Sequence, residues 1–352
     1  MKQNLLPDKG RFYKANLHMH TTVSDGNMTP EEVKRAYLTA GYSVVAYSDH
    51  EVLVPHTELN DADFLALTAF EIAINQPPHP GGYPYMKTYH LNMIAPSAQA
   101  VISRCFGEAY VFPPHAHAFV TDAMRQYGEE RRYDTEFVNR MIAMAREDGF
   151  LVSLNHPFWS LQNYPDYAGL RGLWGVECYN TGCVRSGYPD HTQPLDDLLR
   201  QGESVFPLAT DDAHSPEDCF GGYVMIKAEQ LSEESILGAL RNGDFYASTG
   251  PEIRALWMEE GVLCVRTSSA SRITVSTERR EAFSVCAENG FPRYGADFDL
   301  REYLEISRRV PGESQPYFRV TVEDGAGHQA WSRAYFVKEM NGFPAPTEKE
   351  KE

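Results

Sequence analysis

Residues 29–50 read TPEEVKRAYLTAGYSVVAYSDH, and this stretch decides the fold class. Thr29 and Glu32 have the spacing of a capping box, and Pro30 stands at the first helical position, where its missing N–H costs nothing. Val33, Ala36, Tyr37 and Ala40 then recur on one helical face, and Gly41 stops the helix. Residues 42–47 follow as a mostly apolar strand that ends in Ser48-Asp49-His50. A helix feeding a strand tipped with ligand-type side chains is a unit of an α/β sheet.

The unit recurs downstream. A helix over residues 135–148 breaks at Gly149, and the strand 150–154 ends in Asn155-His156-Pro157. A helix over 194–200 stops at Gly202, and the strand 204–209 runs into Asp211-Asp212-Ala213-His214. Ser232 can cap one more helix reaching Arg241, although Ser235 stands where a capping box needs an acidic or amide partner. This alternation predicts a parallel α/β architecture over residues 1–250, with polar groups at the strand ends, where β/α barrels carry their active sites. Residues 97–134, with Pro113-Pro114 and little periodicity, read as an insertion over the barrel mouth. After Gly250-Pro251 the segments 262–265, 273–276 and 317–322 alternate between turns such as Glu323-Asp324-Gly325, which predicts a small all-β sandwich over 251–345. The charged end, 346–352, reads as a disordered tail.

With 352 residues, 42% of them hydrophobic and 23% charged, the chain has the composition of a globular enzyme. Residues 1–10 carry no apolar leader and no window approaches the roughly 18 apolar residues of a membrane span, so a cytoplasmic location without a membrane partner is expected. The six cysteines are irregularly spaced and contain no Cys-x-x-Cys, so they read as reduced thiols. A net charge of −17 argues against nucleic acid, whose binding draws on phosphates neutralised by Lys and Arg, and favours a small-molecule substrate. The oligomeric state is not legible.

The chemistry lies at the strand ends. His18 and His20 flank Met19 at the two-residue spacing that puts side chains on one face of a strand, and Asp25 can return from the following turn. Asp212 and His214 repeat that spacing, which turns Asp211 the other way. By the same parity His50 is a ligand candidate, and Asp49 is placed to orient an imidazole. His56, His79, His115, His117 and His191 read as loop residues, although Pro114-His115-Ala116-His117 copies the His-x-His spacing.

With His18-Met19-His20, Ser48-Asp49-His50, Asn155-His156-Pro157 and Asp212-Ala213-His214 in this order, the sequence resembles the polymerase and histidinol phosphatase (PHP) superfamily over about residues 11–250. The resemblance implies a distorted (β/α)7 barrel, two to three divalent ions, and hydrolysis of a phosphoester. It carries the ligand roles to His18, His20, Asp25, His50, Glu71, His90, His156, Asp212 and His214. Ser48 and Asp211 replace the first residue of two motifs that often read Thr-Asp-His and Ser-Asp-x-His.

Mixed imidazole and carboxylate ligands suit Mn, Fe or Zn better than Ca or Mg. Three such ions would outweigh the carboxylates of Asp25, Glu71 and Asp212, so an acidic protein can still attract a small phosphorylated substrate. On this reading Glu71 bridges two metals, a bridging hydroxide attacks phosphorus in line, and Asp211 or a bound water protonates the leaving group. Arg185, which follows a predicted strand end at residues 177–179, is the candidate phosphate contact. The alternatives are a metal-dependent hydrolase of a C–N or C–O bond, and a non-catalytic ligand-binding protein of PHP type.

Overall fold

The Thr29 hydroxyl accepts the Glu32 amide at 3.2 Å and the Glu32 carboxylate accepts the Thr29 amide at 2.9 Å, so the first helix starts where its capping box requires. The computed structural model describes residues 2–82, 87–128, 130–189, 191–309 and 315–340; the charged tail lies outside them. The chain runs β1 (Lys2–Asn4), β2 (Arg11–Asn16), α1 (Pro30–Thr39), β3 (Val44–Tyr47), β4 (Leu65–Asn75), β5 (Thr88–Ile94), α2 (Thr135–Glu147), β6 (Leu151–Leu154) and α3 (Tyr164–Tyr167). It continues through β7 (Gly175–Asn180), α4 (Thr181–Arg185), α5 (Gln193–Arg200), β8 (Phe206–Thr210), β9 (Tyr223–Ala228), α6 (Glu233–Asn242) and β10 (Phe245–Ser248).

Strands β2 to β8 are hydrogen-bonded neighbours in chain order. All these pairings are parallel except those of β5, which runs antiparallel to both β4 and β6. The regular strand–helix alternation expected from the sequence therefore fails at β4 and β5, which form a hairpin with no crossover helix. The ends of β2 and β8 meet at one parallel bridge: the Asp212 amide donates to His18 O at 3.0 Å and the His20 amide to Ala213 O at 3.2 Å. Below this bridge β9 pairs with β2 antiparallel. The ladder thus stays open, and the sheet runs on through β9 and β10.

Both faces of β3 are buried, which explains why it reads as a continuous apolar run. Val44 and Ala46 pack in one core with Leu65, Leu67, Ala69 and Ile236 of α6; Val45 and Tyr47 pack in another with Val33 and Tyr37 of α1. The described part of residues 97–134 holds short 3-10 segments, the longest being Pro114–Phe119. This part is nevertheless anchored, with Phe106, Val111, Ala116 and Met124 packed on Phe70, Ile72 and Leu91.

The rest is β-rich: β11 (Ile253–Glu259), β12 (Val262–Ala270), β13 (Arg272–Thr277), β14 (Ala282–Cys286), β15 (Arg293–Asp299), α7 (Arg301–Ser307), β16 (Tyr317–Glu323), β17 (Gln329–Ser332) and β18 (Tyr335–Phe336). One layer is β1-β11-β12-β15. The other, β14-β13-β16-β17, continues the large sheet through the β17–β10 pairing. Leu256, Met258, Leu263 and Val265 from the first layer and Ile273, Val275, Val320 and Val322 from the second share one core. The sequence alone assigns residues 1–10 to the barrel. Instead Lys2–Asn4 pairs with β11, and Leu5 and Leu6 enter the sandwich core, because burial there is available to a strand arriving from a distant part of the chain. Among the described residues no helix is long and apolar enough to cross a membrane.

Candidate metal centre

On β4 the pleat sends Leu65, Leu67 and Ala69 into one core and Phe70, Ile72 and Ile74 into another. Glu71 continues the row of Leu65, Leu67 and Ala69, and there in the middle of β4 its side chain meets a nest of histidines. Its Oε1 lies 3.4, 3.2 and 3.4 Å from nitrogens of His18, His90 and His156, and its Oε2 lies 3.4 and 3.3 Å from His20 and His50. Met19, between His18 and His20, points the opposite way into the core under α1, as the spacing predicts. Asp212 Oδ1 is 3.0 Å from His18 Nε2 and 3.1 Å from His20 Nε2; His214 Nε2 is 3.5 Å from Asp25.

Three groups of side chains could each hold an ion, with ligand atoms within 4.8 Å of one another: His20, Asp25, His50 and His214; His18, His20, Glu71 and Asp212; Glu71, His90 and His156. Together they contain every ligand candidate named from the sequence. His20 and Glu71 are each shared by two groups.

Glu177, which the sequence marked only as part of a strand end, completes the arrangement. Its Oε1 lies 2.7 Å from His18 Nδ1 and accepts the Thr210 hydroxyl at 2.7 Å; its Oε2 accepts the His156 amide and the Asn180 side chain at 2.9 and 3.0 Å. A carboxylate on Nδ1 requires the proton there and leaves the Nε2 lone pair directed at the centre. Ser160 Oγ lies 3.2 Å from His156 Nδ1 and holds that ring in place, with either atom able to donate. Asn155 donates to Glu71 at 2.6 Å, and Asn180 donates to Asp212 at 3.1 Å. The inward face of Glu177 on β7 is the signal that could have found it. His156 and Asp212 hold left-handed backbone angles, φ 27° and 50°, an uncommon cost for non-glycine residues that concentrates at functional sites.

The electrostatics are those of a buried nest in which imidazoles and carboxylates face one another. Burial alone would lower the pKa of His20, but the Asp212 and Glu71 carboxylates raise it to about 10. His18 and His156 are raised against the same burial by Asp212, Glu71 and Glu177. Burial works to raise Glu71, yet His90 and His18 hold it well below the usual carboxylate range. His50 is pushed down to about 3 by burial and the charge of His20. His20 Nδ1, His90 Nδ1 and Asp212 Oδ1 are buried without hydrogen-bond geometry to any neighbour, despite close approaches. Buried polar atoms are normally paired, so orphans converging in an imidazole and carboxylate nest fit divalent cations.

Four residues singled out in the sequence have surroundings that bear on their roles, and for Asp49 and His56 the expectation is corrected. Asp211 is fully buried away from the nest and accepts hydrogen bonds from Tyr37, Thr181 and the amides of Phe220, Gly221 and Gly222 at 2.6–3.1 Å. Those five donors make Asp211 an anchor that ties α1, α4 and residues 220–222 together. Arg185 is half exposed at the end of α4, with Nε 3.6 Å from Asp218, which reads as a surface arginine. Asp49 orients no imidazole; it accepts the amides and hydroxyls of Thr21 and Ser24, holding the turn that carries Asp25. His56 is not a solvated loop residue but is buried against Tyr47, ring centroids 4.9 Å apart. Among the other loop histidines, His115 touches the Thr22 carbonyl at 3.2 Å and His117 sits near Glu108.

The nest is a centre suited to divalent metal ions. Neither a protein-family model nor a curated protein matches the chain. Among solved structures, it is similar to a two-domain protein from Bacteroides vulgatus containing a predicted PHP-like metal-dependent phosphoesterase (14% identity, TM-score 0.39, covering 95% of this chain and 97% of that one). It is also similar to a protein from Bifidobacterium adolescentis assigned as a metal-dependent phosphoesterase (18%, 0.36, covering 67% and 96%). A third similarity is to a lesion-specific endonuclease from Pyrococcus furiosus (16%, 0.40, covering 66% and 56%). At such identities and TM-scores, the functional reading rests on this chain's own residues.

Proposed function

We propose that this chain is a metal-dependent hydrolase of the PHP type that cleaves a small phosphoester, with two to three Mn, Fe or Zn ions held by the nine ligands above. The carrying observation is Glu71, a single carboxylate within 3.2–3.4 Å of five imidazoles, positioned to join neighbouring ions. On this reading strands β2 to β8 are the distorted (β/α)7 barrel, and residues 251–340 form its β accessory module.

When bound, the ions supply Lewis acidity toward the phosphoryl oxygens and activation of water. The chain's own residues prepare the place. Glu177 sets the tautomer of His18, Ser160 orients His156, Asn155 and Asn180 aim Glu71 and Asp212, and Asp49 braces the turn beneath Asp25. His18, His20 and Glu71 are buried, whereas Asp25 and His214 are partly exposed, so substrate enters at the Asp25–His214 rim. The net charge of −17 disfavours a polyanion at distance, while a cluster of dications favours a single phosphate at contact.

One observation favours a second reading. Arg185, the candidate phosphate contact, is paired with Asp218, and a C–O or C–N hydrolase needs no such arginine. Assaying metal-reconstituted protein on phosphomonoesters, phosphodiesters, oligonucleotides, esters and amides decides. Turnover of small phosphoesters with the highest kcat/KM supports the proposal. Faster cleavage of an amide or carboxylic ester overturns it, and a preference for oligonucleotides overturns the small-substrate part.

A further inference from the structure

Beside the metal nest, a shallow cleft open to solvent is lined by His156, Phe158, Trp159, Asn180, Cys183 and Tyr188 among others. His156 is a wall common to both. Trp159 lies against two ligand rings, 5.0 Å from His156 and 5.5 Å from His90 by centroid, yet remains 39% exposed. Phe158, 44% exposed, faces Tyr188 across 6.3 Å. Adjacent exposed aromatics are costly unless a ligand covers them. This pair is held in place: between the aromatics and Leu161, Ser160 is buried, its amide bonded to His156 O at 3.1 Å and its hydroxyl near His156 Nδ1.

The lining also says what the occupant is not. Among the described lining residues there is no lysine or arginine. The one carboxylate, Glu177, is buried and engaged by His18, His156, Asn180 and Thr210, and Asn180 is engaged by Glu177, Asp212 and the Cys183 amide. The remaining polar groups are the imidazoles of His156 and His191, the latter stacked on Phe158 at 6.0 Å, so the lining offers ring stacking and apolar contact ahead of ion pairing.

We propose that this cleft is the subsite for the organic part of the ester, and that it selects a flat, uncharged ring over an alkyl chain or a second anionic group. The inference rests on the proposed phosphoester chemistry, but binding can test it separately. Benzylphosphonate and butylphosphonate carry the same metal-binding head, and their affinities for the Mn-loaded full chain are read by calorimetry. We expect benzylphosphonate to bind about tenfold more tightly, the scale of an aromatic contact plus its buried area. Trp159→Ala should bring the ratio toward one, and so, separately, should Phe158→Ala, a more exposed position whose substitution leaves the ligand rings untouched. Equal affinities in the wild type, no binding of either phosphonate, or a ratio unmoved by both substitutions overturns the subsite. A preference that is lost in the variants, without turnover of any phosphate ester, keeps the subsite and sinks the hydrolysis. Turnover of benzyl and butyl phosphate with equal kcat/KM does the reverse.

Discussion

Glu177 Oε1 lies 2.7 Å from Nδ1 of His18, and both side chains are buried. The pair links the end of β7 to the end of β2, and through Thr210, Asn180 and the His156 amide it ties four strand ends together. Glu177→Ala removes the acceptor from all four donors. We expect metal affinity to fall about 10–100-fold, the usual consequence of losing a group that orients a ligand. Metal content at fixed free Mn concentration, with circular dichroism as a folding control, measures this; wild-type content in a folded variant refutes it.

The nine ligands exceed the needs of one four-coordinate ion. We expect two to three equivalents of Mn, Fe or Zn after reconstitution, and fewer than one equivalent by metal analysis would sink the site. Asp212→Ala and His18→Ala should each abolish hydrolysis.

Metal uptake should release protons. In the metal-free protein His20 titrates at about 10, and His18 and His156 are also raised, so at neutral pH dications must displace protons and affinity should rise with pH. The sign for stability is the opposite. A raised histidine stabilises fully below its unfolded value of about 6.5 and loses that contribution as pH climbs through the folded value. The depressed His50, at about 3, acts only below 6.5 and does not interfere. The Tm of chelator-treated protein should therefore fall between about pH 6.5 and 10, by scanning calorimetry; a rise across that window contradicts the assignment.

Arg131 grips Glu51 with two nitrogens at 2.5 and 2.6 Å, both side chains buried, and also donates to Ala73 O and Cys105 O. It pins residues 97–134 to the strand ends bearing His50 and Glu71. Arg131→Ala leaves a buried carboxylate uncompensated, so a loss of about 3–5 kcal/mol is expected in urea unfolding, and less than additive loss in the Arg131→Ala, Glu51→Ala double variant.

Arg185→Ala should change kcat/KM by no more than about threefold, because the side chain is half exposed and already has a carboxylate partner. A loss above tenfold would return it to the substrate. Asp211→Asn tests the anchoring role of that carboxylate: destabilisation by about 1.5–3 kcal/mol as charged hydrogen bonds are weakened, with the pH dependence of activity unmoved.

Much of this molecule is determined within four or five residues of chain. The capping box at Thr29, the stop at Gly41, the apolar run of β3, and the alternation of His18 and His20 around Met19 depend on local spacing, and all appear in the structure where the sequence puts them. His18, His20, His50, Asp212 and His214 were open to reading as candidate ligands for the same reason, since each follows a strand whose pattern is local, whereas Glu71 and His90 lie inside β4 and β5 and were named only through the family resemblance. Tertiary structure alone decided the rest. Glu177 and His18 are 159 residues apart, and Arg131 and Glu51 are 80 apart; no local pattern states that such carboxylates will find those partners. Asp211 shows the same limit: its parity was readable, but its five donors come from α1, α4 and residues 220–222. The antiparallel β5 and the transfer of Lys2–Asn4 to the sandwich were invisible too, because strand direction and strand partner are set by which distant edge offers burial and unpaired hydrogen bonds, not by the strand's own residues.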